Sequence, residues 1–212
     1  GKTYLLTANF VLPCFVMKKS LYEKLESWDI ESLDKLIKES GAPYETALGA
    51  PIDRNQFLQM SLVFGLKSYV DVESGKADFD SEQFIKLLEL SRNFPKEVNY
   101  EAFYSQDTSG IFRSGKAVAK QDFLYDFGEF AHTRYAEFGE EIVLLGYPSV
   151  KGEAHCGVVG DAVMAMSSKS ADKEACWEFM RSLMTGEYYN SMQNQGYYSG
   201  FPIGREEFDK MA

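Results

Sequence analysis

Long apolar runs and an excess of basic charge are both absent from this sequence. No stretch approaches the ~18 consecutive apolar residues that a membrane span requires, so no segment is predicted to cross a membrane. Lys and Arg number 22 against 32 Asp and Glu, which gives a net charge of −10. This negative balance argues against nucleic acid and against an anionic membrane as binding partners.

Cysteine is scarce and does not occur in the spacings that bind metals. The three cysteines, Cys14, Cys156 and Cys176, form no C-x-x-C pair and no Cys/His ligand pattern, and their odd number supports no disulfide framework. Residues 71–84 carry several carboxylates but fail the test for a calcium loop, because the Gly and Glu positions do not match. We therefore expect small buried thiols and no metal site.

Catalytic signatures are also missing. The sequence contains no G-x-S-x-G elbow, no G-x-x-x-x-G-K-[ST] phosphate loop, no H-E-x-x-H helix and no nucleotide fingerprint. We therefore predict a protein that is not an enzyme and that needs no cofactor. The 32 carboxylates supply chance pairs, so a carbohydrate-active enzyme domain stays open as an alternative. A non-catalytic surface-adhesion domain is another alternative.

The patterns that are present predict an α/β fold. The 212 residues, 45% of them hydrophobic, are enough for one large domain or two small ones with a real core. Short apolar runs of strand type alternate with capped amphipathic helices. Aromatic residues reach 15%, a surplus that suits sugar or peptide grooves and also ordinary core packing.

Local patterns place several helices and strands. Asp29 is predicted to cap a helix that ends at Gly41, with Trp28 before it as a packing residue. Asp80 is predicted to cap another helix, and Pro13 to separate two short strands. Helical spacing predicts the buried face of the first helix as Ile30, Leu33, Leu36 and Ile37.

The stretch 155–208 is the most informative part of the sequence. After an apolar run at 158–166, Ser170 is predicted to cap a helix that Gly186 ends. Helical spacing predicts that one face of this helix is buried, through Ala175, Cys176, Phe179, Met180, Leu183 and Met184. A short helix and a loop punctuated by glycine and proline follow.

The order of these motifs resembles the extracellular solute-binding proteins of bacterial ABC importers, the maltose-binding-protein-like family 1. In that family a helix of the type K-E-A-A-W-E-F leads through a short helix to a loop with Gly, Pro and Phe. The matching helix residues are Lys173, Glu174, Ala175, Trp177, Glu178 and Phe179, and the matching loop residues are Gly200, Pro202 and Phe208. A second match, to the family's F-x-x-G-K-A-A-M element, comprises Phe112, Gly115, Lys116 and Ala117.

The resemblance covers nearly the whole chain and implies the two-lobed fold of type II periplasmic binding proteins. The chain would supply a hinge and first-lobe strand (1–10), the α/β second lobe (11–155), and a crossover toward the first lobe with C-terminal helices (156–212). The opening at Gly1 looks like a segment well inside family members, so we expect an internal fragment with an incomplete first lobe. Its apolar face is expected to be bare, paired in a dimer or otherwise covered.

Resemblance and position in the fold together predict a ligand site. Tyr125 follows the predicted strand 117–123, at the edge where doubly wound sheets bind ligands, and can stack on a sugar ring; a core aromatic cluster is the alternative. Asp161 interrupts an apolar run where a core disfavours charge. Asp53 and Arg54 begin a helix, where a solvated cap is the alternative. The predicted ligand-binding residues are Asn9, Phe10, Asp53, Arg54, Tyr125, Asp161, Tyr197 and Tyr198.

The function that the resemblance implies is capture of an extracellular solute between two lobes and its delivery to an ABC permease. Carbohydrates, and oligosaccharides in particular, are the commonest ligands of the family. The full-length protein is accordingly expected to be extracellular, as a membrane-anchored lipoprotein in the periplasm or at the cell surface.

Overall fold

The computed structural model describes residues 5–105, 110–148, 157–194 and 200–211. Helices and short strands alternate through these ranges. The chain divides into two compact units. Unit 1 comprises Gly1–Pro13, Phe123–Ala131 and Val158–Ala212, and unit 2 comprises Cys14–Asp122 and His132–Gly157. The lobe boundaries predicted from the sequence stay a prediction.

Most strands are short, and the helices range from single turns to 12 residues. The strands are β1 (Leu6–Thr7), β2 (Asn9–Lys18), β3 (Val70–Asp71), β4 (Lys76–Ala77), β5 (Lys120–Leu124), β6 (Ile142–Leu145), β7 (Val159–Gly160), β8 (Val163–Met164) and β9 (Phe201–Pro202). The helices are α1 (Lys19–Tyr22), α2 (Ile30–Ser40), α3 (Arg54–Gly65), α4 (Glu82–Asn93), α5 (Tyr100–Tyr104), α6 (Phe127–His132), α7 (Lys173–Leu183), α8 (Gly186–Asn194) and α9 (Arg205–Met211). A 3₁₀ turn (Leu66–Ser68) follows α3, and a π-helical stretch (Thr133–Phe138) continues α6. Among the described residues, no helix combines the length and the apolar character of a membrane span.

Strand β2 is the centre of the main sheet, and it runs through Pro13 without a break. Its first half pairs antiparallel with β7 and β9, through Asn9–Val11. Its second half pairs antiparallel with β6, with Phe15 opposite Leu145, and β5 also borders it. The prediction that Pro13 separates two strands was wrong. Proline lacks an N–H group, but Pro13 lies between the residues that pair with β7 and those that pair with β6, so neither ladder needs that donor.

Unit 2 is built around a core in which α2, α3 and α4 pack on β2. The prediction for α2 is confirmed: Asp29 accepts a hydrogen bond from the Ser32 N–H at 2.8 Å, and Gly41 ends the helix with φ at 69°. All four predicted face residues are buried. Trp28 is also buried, and its Nε1–H donates to the Gly146 carbonyl at 2.8 Å, so it is the packing residue that was predicted.

Two helix starts lie one or two residues from their predicted positions. The side chain of Ser81, not Asp80, accepts the hydrogen bond that caps α4. At α7 the cap is Asp172 rather than Ser170, and its Oδ1 accepts from the Ala175 N–H at 2.9 Å. Both sequences offer neighbouring residues of capping type, and the residue whose side chain accepts from a free N–H of the first turn is the cap.

Helix α7 has fewer buried residues than its spacing predicts. Met180 is the buried residue of this helix, whereas Phe179 is 65% exposed and Ala175 is also exposed. The prediction was therefore wrong for Phe179 and Ala175. Helical periodicity gives the angular position of an apolar stripe, but it does not say how much of the stripe a neighbouring element covers.

Candidate ligand-binding site

The structure places the predicted site residues in three groups. Asn9, Phe10, Tyr125 and Asp161 belong to unit 1, and Asp53 and Arg54 belong to unit 2. Tyr197 and Tyr198 lie outside the described residues, so their placement at the rim of the site stays a prediction. Unit 1 therefore contains the candidate site that can be described.

Asn9 begins β2 and has both of its side-chain polar atoms directed into the protein. Its side chain is 1% exposed. The Nδ2–H group donates to Asp161 Oδ2 at 3.1 Å, and Oδ1 accepts from the Ala162 N–H at 3.0 Å. The Asn9 carbonyl accepts from the Asp161 N–H at 3.1 Å and from the Thr7 hydroxyl at 2.6 Å. Asn9 therefore holds the turn between β7 and β8 in place.

Asp161 presents an exposed carboxylate whose orientation is already fixed. Its N–H and one carboxylate oxygen are both held by Asn9, on strand β2. Asp161 itself is exposed. A carboxylate held in this way can accept hydrogen bonds from a hydroxyl-rich ligand with little further loss of side-chain entropy.

Gly200 brings the chain unusually close to Asn9. Its φ of 116° lies in the region that favours glycine, and a Cβ at this position would lie 2.7 Å from Asn9 Nδ2 and 3.1 Å from the Phe10 carbonyl oxygen. Any larger residue would therefore displace Asn9. This explains physically why glycine precedes Phe201–Pro202, the residues that pair with Asn9 and Phe10.

Phe10, the residue after Asn9 on β2, is part of a cluster of four phenylalanines. We call this group the Phe10 cluster: Phe10, Phe127, Phe201 and Phe208. The Phe10 ring stacks on Phe201 with centroids 5.4 Å apart and on Phe208 at 6.3 Å. Phe127 meets Phe201 edge-on at 5.2 Å. Phe201 is buried, and the other three rings are half-buried. The sequence pointed to Phe10, but it did not predict that Phe127 and Phe201 pack in the same cluster, because no local signal joins residues so far apart in the chain.

Tyr125 lies between β5 and α6, in the position predicted for it. Its N–H donates to Glu129 Oε2 at 2.9 Å, and Asp126 Oδ1 accepts from the Glu129 N–H at 2.7 Å. These two bonds fix the backbone at Tyr125 and at the start of α6. The residue is half-buried.

Asp53 and Arg54 both have structural contacts within unit 2. Asp53 caps α3, accepting from the Gln56 N–H at 3.0 Å, while Gln56 Oε1 accepts from the Asp53 N–H. The Arg54 guanidinium donates to the Arg92 and Phe94 carbonyls at 3.3 and 3.2 Å. Arg54 thus joins the start of α3 to the end of α4. A ligand contact by either residue stays a prediction.

The described residues contain no cluster of three or more His, Cys, Asp or Glu side chains placed to hold a metal ion. The candidate residues in unit 1 offer the Asp161 carboxylate, the half-buried Tyr125 and the apolar Phe10 cluster. This combination suits a neutral, hydroxyl-rich ligand, because carboxylates bind hydroxyl groups and aromatic rings pack against the C–H face of a sugar.

Comparisons with known proteins give matches to solved structures only. No protein-family model matches the chain, and no curated protein matches it. An ABC transporter solute-binding protein from Agrobacterium radiobacter K84, in complex with ribitol, is 18% identical with a TM-score of 0.56. It covers 100% of this chain, which spans 57% of that protein.

Two further structures match with comparable coverage. The cyclic alpha-maltosyl-1,6-maltose binding protein of Arthrobacter globiformis is 14% identical, with a TM-score of 0.52, and covers 99% of this chain and 56% of its own. A sugar transporter protein of Arthrobacter chlorophenolicus A6, with bound laminaribiose, is 16% identical, with a TM-score of 0.51, and covers 96% of this chain and 53% of its own.

These similarities establish the fold. The chain has the α/β fold of periplasmic binding proteins, as the resemblance implied, and it spans little more than half the length of these solved structures. The structures that share the fold are solute-binding proteins of ABC transporters and related sugar-binding proteins.

Proposed function

We propose that this chain is part of a carbohydrate-binding, extracellular solute-binding subunit of an ABC importer, that it is not catalytic, and that it delivers its ligand to a membrane permease. The observation that carries the proposal is the fold, because the matched structures are described with ribitol, a cyclic maltosyl-maltose and laminaribiose as ligands. These ligands share a dense set of hydroxyl groups and no charge. Anchoring as a lipoprotein is part of the same proposal.

In the proposed function, Asp161 and Tyr125 bind the ligand directly. The Asp161 carboxylate accepts hydrogen bonds from sugar hydroxyls, and such charge-assisted bonds contribute about 1.5–3 kcal/mol each. Tyr125 stacks on the apolar face of a sugar ring, with Phe10 as its apolar neighbour and Tyr197 and Tyr198 at the rim. Asn9 acts through Asp161, which it orients by the hydrogen bond at 3.1 Å.

The test uses the natural full-length protein that carries this chain and a panel of uncharged sugars and polyols. A thermal-shift screen with ribitol, mannitol, laminaribiose and maltotriose finds the ligand, and titration calorimetry gives its Kd. Tyr125→Ala is expected to weaken binding roughly tenfold or more, since a stacked ring contributes about 1–3 kcal/mol. Asp161→Asn is expected to weaken it by a similar factor, because the amide keeps the shape and loses the charge.

Matched controls separate ligand contact from general damage. Tyr135→Ala removes an exposed tyrosine from unit 2, and Asp209→Asn removes an exposed carboxylate from α9; both should leave Kd unchanged. Unchanged affinity in Tyr125→Ala and Asp161→Asn would remove these residues from the site. Hydrolysis of a panel sugar that stops on mutation of one carboxylate would favour the carbohydrate-active enzyme instead.

A further inference from the structure

A network of half-buried charged groups lies in unit 2. Lys120 Nζ lies 2.7 Å from Asp122 Oδ2 and 3.0 Å from Glu137 Oε2, and it donates to Thr133 Oγ1 at 3.3 Å. The Lys120, Asp122 and Glu137 side chains are 19%, 14% and 28% exposed, and Thr133 is buried. We call these four residues the Lys120 network.

The residues of the Lys120 network lie on both sides of one stretch of the chain, Phe123–Ala131. Lys120 and Asp122 are on β5, immediately before the chain leaves unit 2 for the stretch Phe123–Ala131 of unit 1. Thr133 and Glu137 are in the π-helical stretch, immediately after the chain returns. One ammonium group therefore joins the two ends of the stretch Phe123–Ala131, which carries Tyr125 and Phe127.

Stability alone does not account for a charged network at this place. Lys120, Asp122 and Leu124 share one face of β5 because strand side chains alternate, and apolar residues at 120 and 122 would pack there at lower desolvation cost. Burial by itself lowers the pKa of Lys120, but the hydrogen bonds and charges of Asp122 and Glu137 outweigh it and raise the pKa. The ammonium is therefore charged at neutral pH, and ion pairs that are largely removed from water often add little net stability.

The backbone conformation at the second end supports the same interpretation. The Gly139 N–H bonds to the Arg134 carbonyl at 2.9 Å, the wider spacing of a π-helix. Such stretches are rare and occur often at functional sites. Here the π-helical stretch carries both Thr133 and Glu137, which are the two partners of Lys120 at this end.

We propose that Lys120 is a positioning residue: its network fixes both ends of the stretch Phe123–Ala131, so that Tyr125 is held in one orientation for the ligand. The effect on the ligand rests on the proposed function above. The effect on the protein does not, because the ends of the stretch are joined whether or not a ligand binds.

Hydrogen exchange of the full-length protein tests the effect on the protein. Lys120→Met should make amides in residues 123–131 exchange at least about tenfold faster, because local opening no longer breaks the network. Lys18→Met is the matched control, since Lys18 is a β2 lysine of unit 2 with a side-chain exposure of 22% and an ion pair to Glu140 at 3.1 Å. In that variant, exchange at 123–131 should stay at the wild-type rate.

A triple variant separates positioning from loss of stability. Lys120→Met alone leaves two carboxylates facing each other, which is expected to destabilise the protein. Lys120→Met combined with Asp122→Asn and Glu137→Gln removes all charge from the network and should regain most of the lost thermal stability. Exchange at 123–131 should nevertheless stay fast. If the single variant does not fold, the triple variant decides. Wild-type exchange in the triple variant would overturn the proposal.

Ligand affinity provides the readout that a purely structural network would not change. The triple variant should bind the sugar about tenfold more weakly than wild type. When the same three substitutions are added to Tyr125→Ala, they should weaken binding little beyond Tyr125→Ala alone. Equal losses with and without Tyr125 would overturn the positioning role. If no sugar binds the wild-type protein, the proposed function fails, while the exchange experiment still decides whether the network holds the stretch.

Discussion

Asn9 shows how a single buried amide can connect parts of the chain that are distant in sequence. Its side chain bonds to Asp161 and Ala162, which are 152 and 153 positions away. The Asn9 side chain is buried, so removing its amide would leave the Ala162 N–H without its acceptor. Such a loss costs more than the net contribution of the hydrogen bond itself.

Asn9→Ala is therefore expected to lower the free energy of unfolding by about 1–3 kcal/mol. Urea denaturation at neutral pH measures the change. Asn55→Ala, at an exposed asparagine in α3, is the control and should change it by less than about 0.5 kcal/mol. Equal effects of the two substitutions would contradict a structural role for the Asn9 amide.

Tyr69 gives a second prediction at this scale, because burial raises its pKa to about 12. A tyrosine in the unfolded chain ionises near pH 10. Between about pH 10 and 12 the unfolded state therefore loses a proton that the folded state keeps, and stability falls as pH rises through this window. Tyr69→Phe should accordingly become more stable relative to wild type at pH 11 than at pH 8, measured by urea denaturation.

At the scale of helices and strands, local sequence predicted much of the fold. The face of α2, its cap at Asp29 and its end at Gly41 were all predicted, because capping, glycine and helical spacing act within a few residues. The continuous strand β2 was not predicted. Its continuity through Pro13 depends on β7 and β6, the strands that pair with its two halves. The exposure of Phe179 likewise depends on what packs against α7, which local periodicity does not encode.

In the candidate site, too, local features were predictable from the sequence and long-range contacts were not. The position of Tyr125 between a strand and a helix was predictable from element order. The contact of Asn9 with Asp161 and the Phe10 cluster join residues from opposite ends of the chain. No pattern within one element predicts such contacts from a single sequence.

The start of α4 provides a prediction that separates two adjacent residues. Ser81→Ala removes the hydroxyl that accepts from the Phe84 N–H and should cost about 1 kcal/mol of unfolding free energy. Asp80→Ala should cost much less, although Asp80 was the cap that the sequence predicted. Thermal or urea denaturation of both variants measures the difference. A larger loss for Asp80→Ala would contradict the observed cap.

At the scale of the whole molecule, unit 1 has large apolar side chains on its surface. They include Val158, Val163, Trp177, Phe179 and Ile203, all of which are exposed. Large exposed apolar side chains favour adhesion to dyes, to partners or to other copies of the chain where they form a common surface.

The expressed 212-residue chain is therefore expected to bind a hydrophobic dye such as ANS in its folded state. Phe179→Ser should lower the dye fluorescence without lowering the unfolding midpoint, because the ring is 65% exposed. Val72→Ser is a control, since Val72 is 80% exposed in unit 2 and far from α7 in sequence. Equal dye binding by wild type and Phe179→Ser would contradict an adhesive surface at α7.

The division of the chain into interleaved stretches has a consequence for biosynthesis. All residues of unit 2 have been made once the ribosome has passed Gly157, whereas unit 1 needs residues from Val158 onward. The ladder between the first half of β2 and β9 cannot form until Pro202 has been synthesised, so Asn9 and Phe10 are made early and are paired late. No truncation at a single point isolates either unit, because Phe123–Ala131 of unit 1 lies between two stretches of unit 2.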